Sequence, residues 1–322
     1  MDNKIGIIDV FEAKKAISSW VQETPLEYNR GLSHLSGVQV FLKLELMRET
    51  RAFKIRGAFN ALTHLSAKQK ENGIIAASGG SHALGVACAG NKLGIKTTIV
   101  ATVRAPKSIQ ENCKYYGAEV IVAGEVYDDA KKVAEEIAKE RNLTLIHSYD
   151  DPYIIAGQGT IGLEILQQMK PDVIICPVGG GGLLAGVGLV AAAISPDTKV
   201  WGVEPETAAA MTAAINAGSL VSIEDPRSIA DKLVVKQVGQ LNLDIARKTV
   251  SKMVTVSEQE IREAMYLLSS SANLWAEGAA GAALAAMLKE KESLAKRKVA
   301  LILTGGNVEA KVMANILAEF SR

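Results

Sequence analysis

Cysteine is scarce in this chain of 322 residues: there are three, Cys88, Cys113 and Cys176. An odd number, widely spaced and set among apolar or small neighbours, argues against a disulfide framework and against a zinc site. It suits reduced thiols in a cytosolic protein. An excess of either charge is missing too. Lys and Arg number 36 against 35 Asp and Glu, a formal net charge of +1. No global field therefore draws the chain to nucleic acid or to an anionic membrane. Internal repeats, low-complexity tracts and a long linker are absent as well. The opening "MDNKIGIIDVFEAKKAISSW" carries acids early and lacks a continuous apolar run, so no secretory signal is expected.

One long uncharged run does occur, the 23 residues from Val173 to Ser195. Its length would span a bilayer. Pro177 and four consecutive glycines interrupt it near its start, so it reads as buried strand, glycine loop and buried helix. With 48% hydrophobic and 22% charged residues, the composition is that of an ordinary soluble globular protein. The length allows one large core or two modest ones, and two lobes are the expectation.

Short Val- and Ile-rich runs predict nine strands, at 38–46, 73–78, 97–102, 118–124, 143–148, 172–178, 199–205, 253–257 and 299–305. Helical periodicity appears between several of them. In 128–142, Ala130, Val133, Ile137 and Ala138 recur at three- to four-residue intervals with charges opposite; 257–273 is similar. Apolar strands joined by helices imply an α/β fold with parallel sheets flanked by helices on both faces.

Three loops carry the chemistry. "PVGGGGLLAG" (177–186) follows a strand and opens a helix. Without Cβ atoms at Gly179 to Gly182, an anion can reach the backbone N–H groups and the positive helix end, which makes a phosphate site. Gly180, Gly182 and Ala185 also satisfy G-x-G-x-x-A, and Glu204 lies where a ribose-binding acid would sit. A dinucleotide-dependent oxidoreductase is therefore a rival, weakened by the βα units that come first. No Lys-Ser/Thr follows the glycines, so the loop is not a Walker A motif. Next, "AASGGSHALGVACAG" (76–90) reads as strand, tight turn and a helix starting near His82. Ser78, Gly79, Gly80 and Ser81 would offer N–H groups to a carboxylate, although Ser81 could simply cap the helix and His82 could simply pack. Finally, "LILTGGNVEA" (301–310) places Thr304 at a strand end, where its hydroxyl could meet a ring nitrogen or cap a helix.

Lys54, in "ETRAFKIRGAFNAL" (49–62), sits beside Phe53 and Ile55. A lysine amine in a desolvated setting loses basicity and becomes a nucleophile toward a carbonyl. With a phosphate cradle, a carboxylate cradle and a hydroxyl, the group that unites these features is a phosphorylated aldehyde held as a Schiff base.

The chain resembles the pyridoxal-phosphate-dependent threonine/serine dehydratases, the fold type II (tryptophan synthase beta-like) group that includes serine racemase. The matching stretches are "FKIRGAFNAL", "PVGGGGLLAG", "HSYDDPYIIAGQGTIGLEIL", "GVEPETAAAM", "VTVSEQEI", "WAEGAAGAALAAM" and "LTGGNV", in the family's order over nearly the whole chain. The resemblance implies a small lobe at 46–145 and a large cofactor-binding lobe from 1–45 and 146–322, commonly in a homodimer, with pyridoxal 5'-phosphate in the cleft between them. It implies that Lys54 is the Schiff-base lysine and Phe53 its neighbour, and that Gly179, Gly180, Gly181, Gly182 and Leu183 bind the phosphate. Thr304 would partner the pyridine nitrogen and Glu277 the far side of the ring. The implied reaction is β-elimination from a small β-hydroxy amino acid, yielding a 2-oxo acid and ammonia; β-replacement of the cysteine synthase type and a binding-only relative are the alternatives within the fold.

The departures are as informative. The family's turn usually reads Ser-Ser-Gly-Asn-His; here it is Ser78-Gly79-Gly80-Ser81-His82. Gly79 stands where serine racemase has the serine that protonates the opposite face of Cα, so racemisation is expected to be at most a side reaction. Ser81 replaces an asparagine that contacts the cofactor ring oxygen. Lys232 stands where relatives usually have glycine, and would either read a polar or acidic substrate side chain or turn to solvent. Glu204 aligns with a metal ligand, but Ala210 replaces its acidic companion, so no metal is expected. The chain ends shortly after "LTGGNV", so no C-terminal regulatory domain is expected.

Overall fold

The computed structural model describes residues 5–321; the outermost residues of the expected large lobe, and the first four of the opening stretch, lie outside the described residues. Among the described residues, ten strands form two sheets. They are β1 (Leu26–Tyr28), β2 (Gln39–Leu44), β3 (Ile74–Ala77), β4 (Thr97–Ala101), β5 (Glu119–Val122), β6 (Thr144–Leu145), β7 (Val173–Pro177), β8 (Lys199–Pro205), β9 (Lys252–Val256) and β10 (Lys298–Leu303). The larger sheet has the order β1-β2-β10-β7-β8-β9 and the smaller β5-β4-β3-β6.

All nine expected strands are present. The tenth, β1, pairs antiparallel with β2, so the larger sheet is not wholly parallel. Strand β2 stops at Leu44, two residues early, where Glu45–Met47 turns into a short 3₁₀ helix. Every other pairing is parallel.

Helices Glu258–Ala272 and Gly278–Lys289 cover one face of the larger sheet, and Gly182–Ile194 and Ala210–Ala217 the other. The smaller sheet packs Ser81–Leu93 on one face and Tyr127–Arg141 on the other. Burial on both faces is why these strands read as continuous apolar runs. The 173–195 run becomes β7, the glycine loop and the thirteen-residue helix Gly182–Ile194. Among the described residues no helix is long and apolar enough to cross a membrane. All three cysteines are buried and free, and burial pushes the Cys88 and Cys113 thiols up to about 12.

Parallel strands carry their following loops to one edge of a sheet, and that is where ligands bind in open α/β folds. Here the loops after β2, β3, β6, β7 and β10 hold Lys54, the Ser78–Ser81 turn, Ser148, the glycine loop and Thr304 in turn.

Candidate active site

Segment 51–54 is pinned to the end of β10. Phe53 N donates to Thr304 O at 3.0 Å, Gly306 N donates to Arg51 O at 2.9 Å, and Ala52 bridges Gly305. Lys54 thus stands beside Thr304, one residue before helix Ile55–Thr63. Its Nζ donates to Ser148 O at 2.8 Å and lies 5.3 Å from the centroid of the Phe53 ring. Burial pushes the amine down to about 8, against the pull of Glu277. At pH 7 that leaves roughly a tenth of it as free amine, against about one part in three thousand for an ordinary lysine.

The glycine loop is closed to side chains on all sides. A Cβ at Gly179 would lie 3.1 Å from Lys232 O, one at Gly180 would strike the Tyr149 ring, and one at Gly182 would lie 2.9 Å from Tyr149 O. Gly181 has φ +96°, a conformation that suits glycine. Asn242 Nδ2 and Gly239 N both donate to Gly180 O, at 2.7 and 3.1 Å. That fixes the loop's carbonyl side. Its N–H groups, from Gly179 to Leu183, donate to no acceptor among the described residues. Buried donors without partners are costly, so this loop is built for an anion.

The turn after β3 behaves similarly. Gly80 N donates to Ser78 Oγ at 3.2 Å, while the N–H groups of Gly79, Ser81 and His82 find no acceptor among the described residues. Gly80, not Ser81, takes the N-cap position of helix Ser81–Leu93, so the capping role considered for Ser81 is not the one it plays. Ser81 Oγ instead accepts from Asn307 Nδ2 at 3.2 Å, and the same amide donates to Thr50 O at 3.0 Å. Asn307 N donates to Glu277 Oε2 at 3.2 Å. His82 is buried with Nε2 3.2 Å from Ile146 O, and burial followed by the nearby Lys54 lowers it to about 3. It is a neutral ring held under the turn. Gly79 has no hydroxyl and no room for one, since a Cβ there would lie 2.8 Å from Ala105 Cβ.

Glu277 is buried at the N-cap of helix Gly278–Lys289, and burial raises its carboxyl to about 7 against the pull of Lys232. Thr304 Oγ1 is buried with no partner. No helix begins until Ala310, which removes the helix-cap reading of Thr304. Lys232 does not turn to solvent: its side chain lies over Gly80 and is 18% exposed. Glu204 is buried with both oxygens occupied, accepting from Met211 N at 2.7 Å and from Thr212 N and Oγ1 at 2.9 and 2.7 Å. It caps helix Ala210–Ala217 and is wholly shielded from solvent, so it is not presented to a ribose, which removes the main support for a dinucleotide. No group of three His, Cys, Asp or Glu placed to hold a metal occurs among the described residues.

The family model described as pyridoxal-phosphate dependent enzyme matches residues 17–305. The chain belongs to this family. Among relatives of this pyridoxal-phosphate-dependent enzyme, a Thermotoga maritima protein named L-threonine ammonia-lyase is 38% identical over 314 residues, covering 97% of this chain and 78% of the relative. Among solved structures, a serine racemase of maize superposes with a TM-score of 0.92 at 32% identity, covering 98% of this chain and 97% of that one. A threonine deaminase of T.th. superposes with a TM-score of 0.89 at 37% identity, covering 94% of this chain and 99% of that one. The α/β fold, parallel sheets flanked by helices, is that of the fold type II members.

The residues present fit pyridoxal phosphate. They offer a lysine amine of lowered basicity, a loop of unpartnered N–H groups, and one buried hydroxyl without a partner. What holds these parts in register is a stack of three helices. Helix Pro152–Gln168 meets the Lys54 helix at Gly157, where a Cβ would lie 2.6 Å from Gly57 Cα. It meets helix Gly182–Ile194 at Gly159, whose N lies 2.6 Å from where a Gly186 Cβ would be. A buried ion network ties the Lys54 helix and helix Pro152–Gln168 to β2 and the turn after it. Arg56 donates to Glu45 and Glu164 at 2.6–2.8 Å and Lys43 Nζ donates to Glu164 at 2.6 Å. Burial alone would raise the Glu45 carboxyl, but the Arg56 and Arg48 guanidiniums outweigh it and hold it well below the usual range. Sequence reasoning assigned no role to Ser148, Tyr149, Asn242, Asn307 or this network. "HSYDDP" and "LTGGNV" contain three of them, but nothing local shows that Asn307 joins two loops.

Proposed function

We propose that this enzyme is an ammonia-lyase that dehydrates a β-hydroxy amino acid to a 2-oxo acid and ammonia. The observation that carries the reading is the Lys54 amine, held at about 8 and hydrogen-bonded to Ser148 O, between the end of β10 with its unpartnered Thr304 hydroxyl and the glycine loop packed on Tyr149 with its unpartnered N–H groups. Lys54 would hold the aldehyde carbon of the cofactor, with Phe53 beside it, and Gly179 to Gly182 with Leu183 would receive the phosphate. Thr304 would meet the ring nitrogen, and Glu277 and Ser81 would face the rest of the ring. When bound, pyridoxal phosphate supplies the electron sink that makes the substrate Cα–H bond labile.

The chain's own residues do the rest. The N–H groups of Gly79, Ser81 and His82 take the substrate carboxylate and orient the Cα–H bond. Lys54 Nζ, in the unprotonated form that its lowered basicity makes accessible near neutral pH, takes the Cα proton. The β-hydroxyl leaves with a proton as water, and the released enamine takes water back as it hydrolyses. Gly79, with no hydroxyl, provides no acid on the other face, which favours elimination over racemisation. We further propose that the lobes divide at 46–145 against 1–45 and 146–322, that two copies form a homodimer, and that the enzyme works in the cytoplasm, where free buried thiols stay reduced.

The test is titration of the purified, cofactor-loaded protein with L-threonine, L-serine and L-threo-3-hydroxyaspartate, following near-visible absorbance and 2-oxo acid release. Both signals must respond to at least one of them. An absorbance that none perturbs, with no 2-oxo acid, would refute the reading. Sedimentation of the loaded protein tests the homodimer.

A further inference from the structure

Lys232 occupies the turn Asp231–Leu233 between the two glycine-rich loops of the site. Its carbonyl oxygen lies 3.1 Å from where a Gly179 Cβ would be. Its side chain crosses to the Ser78–Ser81 turn, with Cδ, Cε and Nζ at 3.3, 3.4 and 3.8 Å from where a Gly80 Cβ would be. Glycine at 80 is what lets the stem lie flat. The side chain is 18% exposed, so the ammonium is mostly withdrawn from water. Its intramolecular partner is Asp231, which is itself 60% exposed, and Glu277 and Glu309 add to the field around it. Burial works against the charge, but Asp231 and Glu277 outweigh it and keep Lys232 protonated.

The carboxylate common to all amino acids already has donors, the free N–H groups of Gly79, Ser81 and His82. Lys232, whose one ion-pair partner Asp231 is largely exposed, therefore keeps ammonium donors that neither threonine nor serine uses. A methyl group or hydrogen facing it gains nothing and removes more of its water. A second carboxylate forms a charge-assisted hydrogen bond in a poorly hydrated setting. Such bonds are worth about 10- to 100-fold in affinity.

We propose that Lys232 is a specificity-determining residue that selects β-hydroxy amino acids bearing a side-chain carboxylate, the 3-hydroxyaspartate class. The proposal rests on the ammonia-lyase reading above. The chemistry balances without any further reactant: the Cα proton goes to Lys54, the β-hydroxyl departs as water, and hydrolysis returns one water. The products are a 2-oxo dicarboxylate and ammonia.

The experiment uses the cofactor-loaded full chain and compares kcat/KM for L-threo-3-hydroxyaspartate, L-threonine and L-serine in wild type, K232M and K232R. Wild type should favour the dicarboxylate by at least about tenfold. In K232M the ratio of dicarboxylate to threonine should fall by about 100-fold, chiefly through KM; K232R should keep it within a few-fold. Because the ratio is taken within one variant, partial misfolding does not move it. As a readout independent of turnover, the inhibition constant of succinate should weaken by tenfold or more in K232M. A wild type that turns over threonine or serine in preference to the dicarboxylate, or a K232M ratio equal to wild type, overturns the proposal alone. No 2-oxo acid from any of the three overturns the ammonia-lyase reading, and the proposal with it.

Discussion

Substitution of Gly157 by alanine tests whether the three-helix stack sets the position of Lys54. The new methyl would lie 2.6 Å from Gly57 Cα, 2.8 Å from Arg56 O and 2.9 Å from Gly57 N. Carbons rest at about 3.5–4.0 Å, so the contact is short by about 1 Å. All three atoms are backbone and none can rotate away, so the helix starting at Ile55 must shift by about that distance. Overpacking of this kind costs about 1–3 kcal/mol, partly offset by the roughly 1 kcal/mol that alanine gains over glycine in a helix. The stability change is thus at most a modest loss, about 0–2 kcal/mol. The effect on activity should be larger, because a displacement of about 1 Å at a reacting group costs on the order of 100-fold. The assay is 2-oxo acid release for kcat/KM, with thermal unfolding of the same preparation. Gly57→Ala gives the contrast: its first contact is the movable amide end of Gln158, with Ile154 O next at 3.0 Å, so its loss should be smaller. A G157A enzyme as stable as wild type, with kcat/KM within threefold, would refute the reasoning.

Three other perturbations follow from the site. Pyridoxal phosphate should enter the cofactor-free protein about tenfold faster per pH unit up to pH near 8 and then level off, because only the unprotonated Lys54 amine reacts and its basicity is lowered to about 8. A near-visible absorbance rate that keeps climbing to pH 10 would assign Lys54 an ordinary value. Thr304→Val removes a buried hydroxyl that has no partner among the described residues, so the cofactor-free protein should melt at the same temperature or higher. The increase in Tm on adding pyridoxal phosphate should shrink, and an unchanged increase would remove Thr304 from the site. Glu164→Gln leaves Arg56 and Lys43 facing a neutral amide where they now meet a buried carboxylate, 2% exposed as a residue. Breaking such a pair costs about 3–5 kcal/mol, which should lower Tm by at least several degrees; a change under 2 °C would show the network to be dispensable.

The sequence by itself determined nine of the ten described strands, the two glycine loops and a lysine of lowered basicity, because each is written in local chemistry. Val and Ile runs mark strands buried on both faces, consecutive glycines mark a place where backbone must approach a ligand, and Lys54 sits in an apolar setting. Strand β1 escaped because it is largely exposed, paired at the edge of its sheet with no hydrophobic run or alternation to announce it. Glu45, Arg56 and Glu164 read as surface charges until the fold buries them against one another across more than a hundred residues of chain. Glu204 fitted a ribose acid by spacing alone, and only the path of helix Ala210–Ala217 shows both its oxygens engaged. Asn307 joining Ser81 to Thr50, and Lys232 lying across Gly80, are contacts between segments distant in sequence. A pattern within a window of ten residues carries propensity and burial; which side chains share a cleft depends on how the sheets and helices close on each other, and that was decided by tertiary packing.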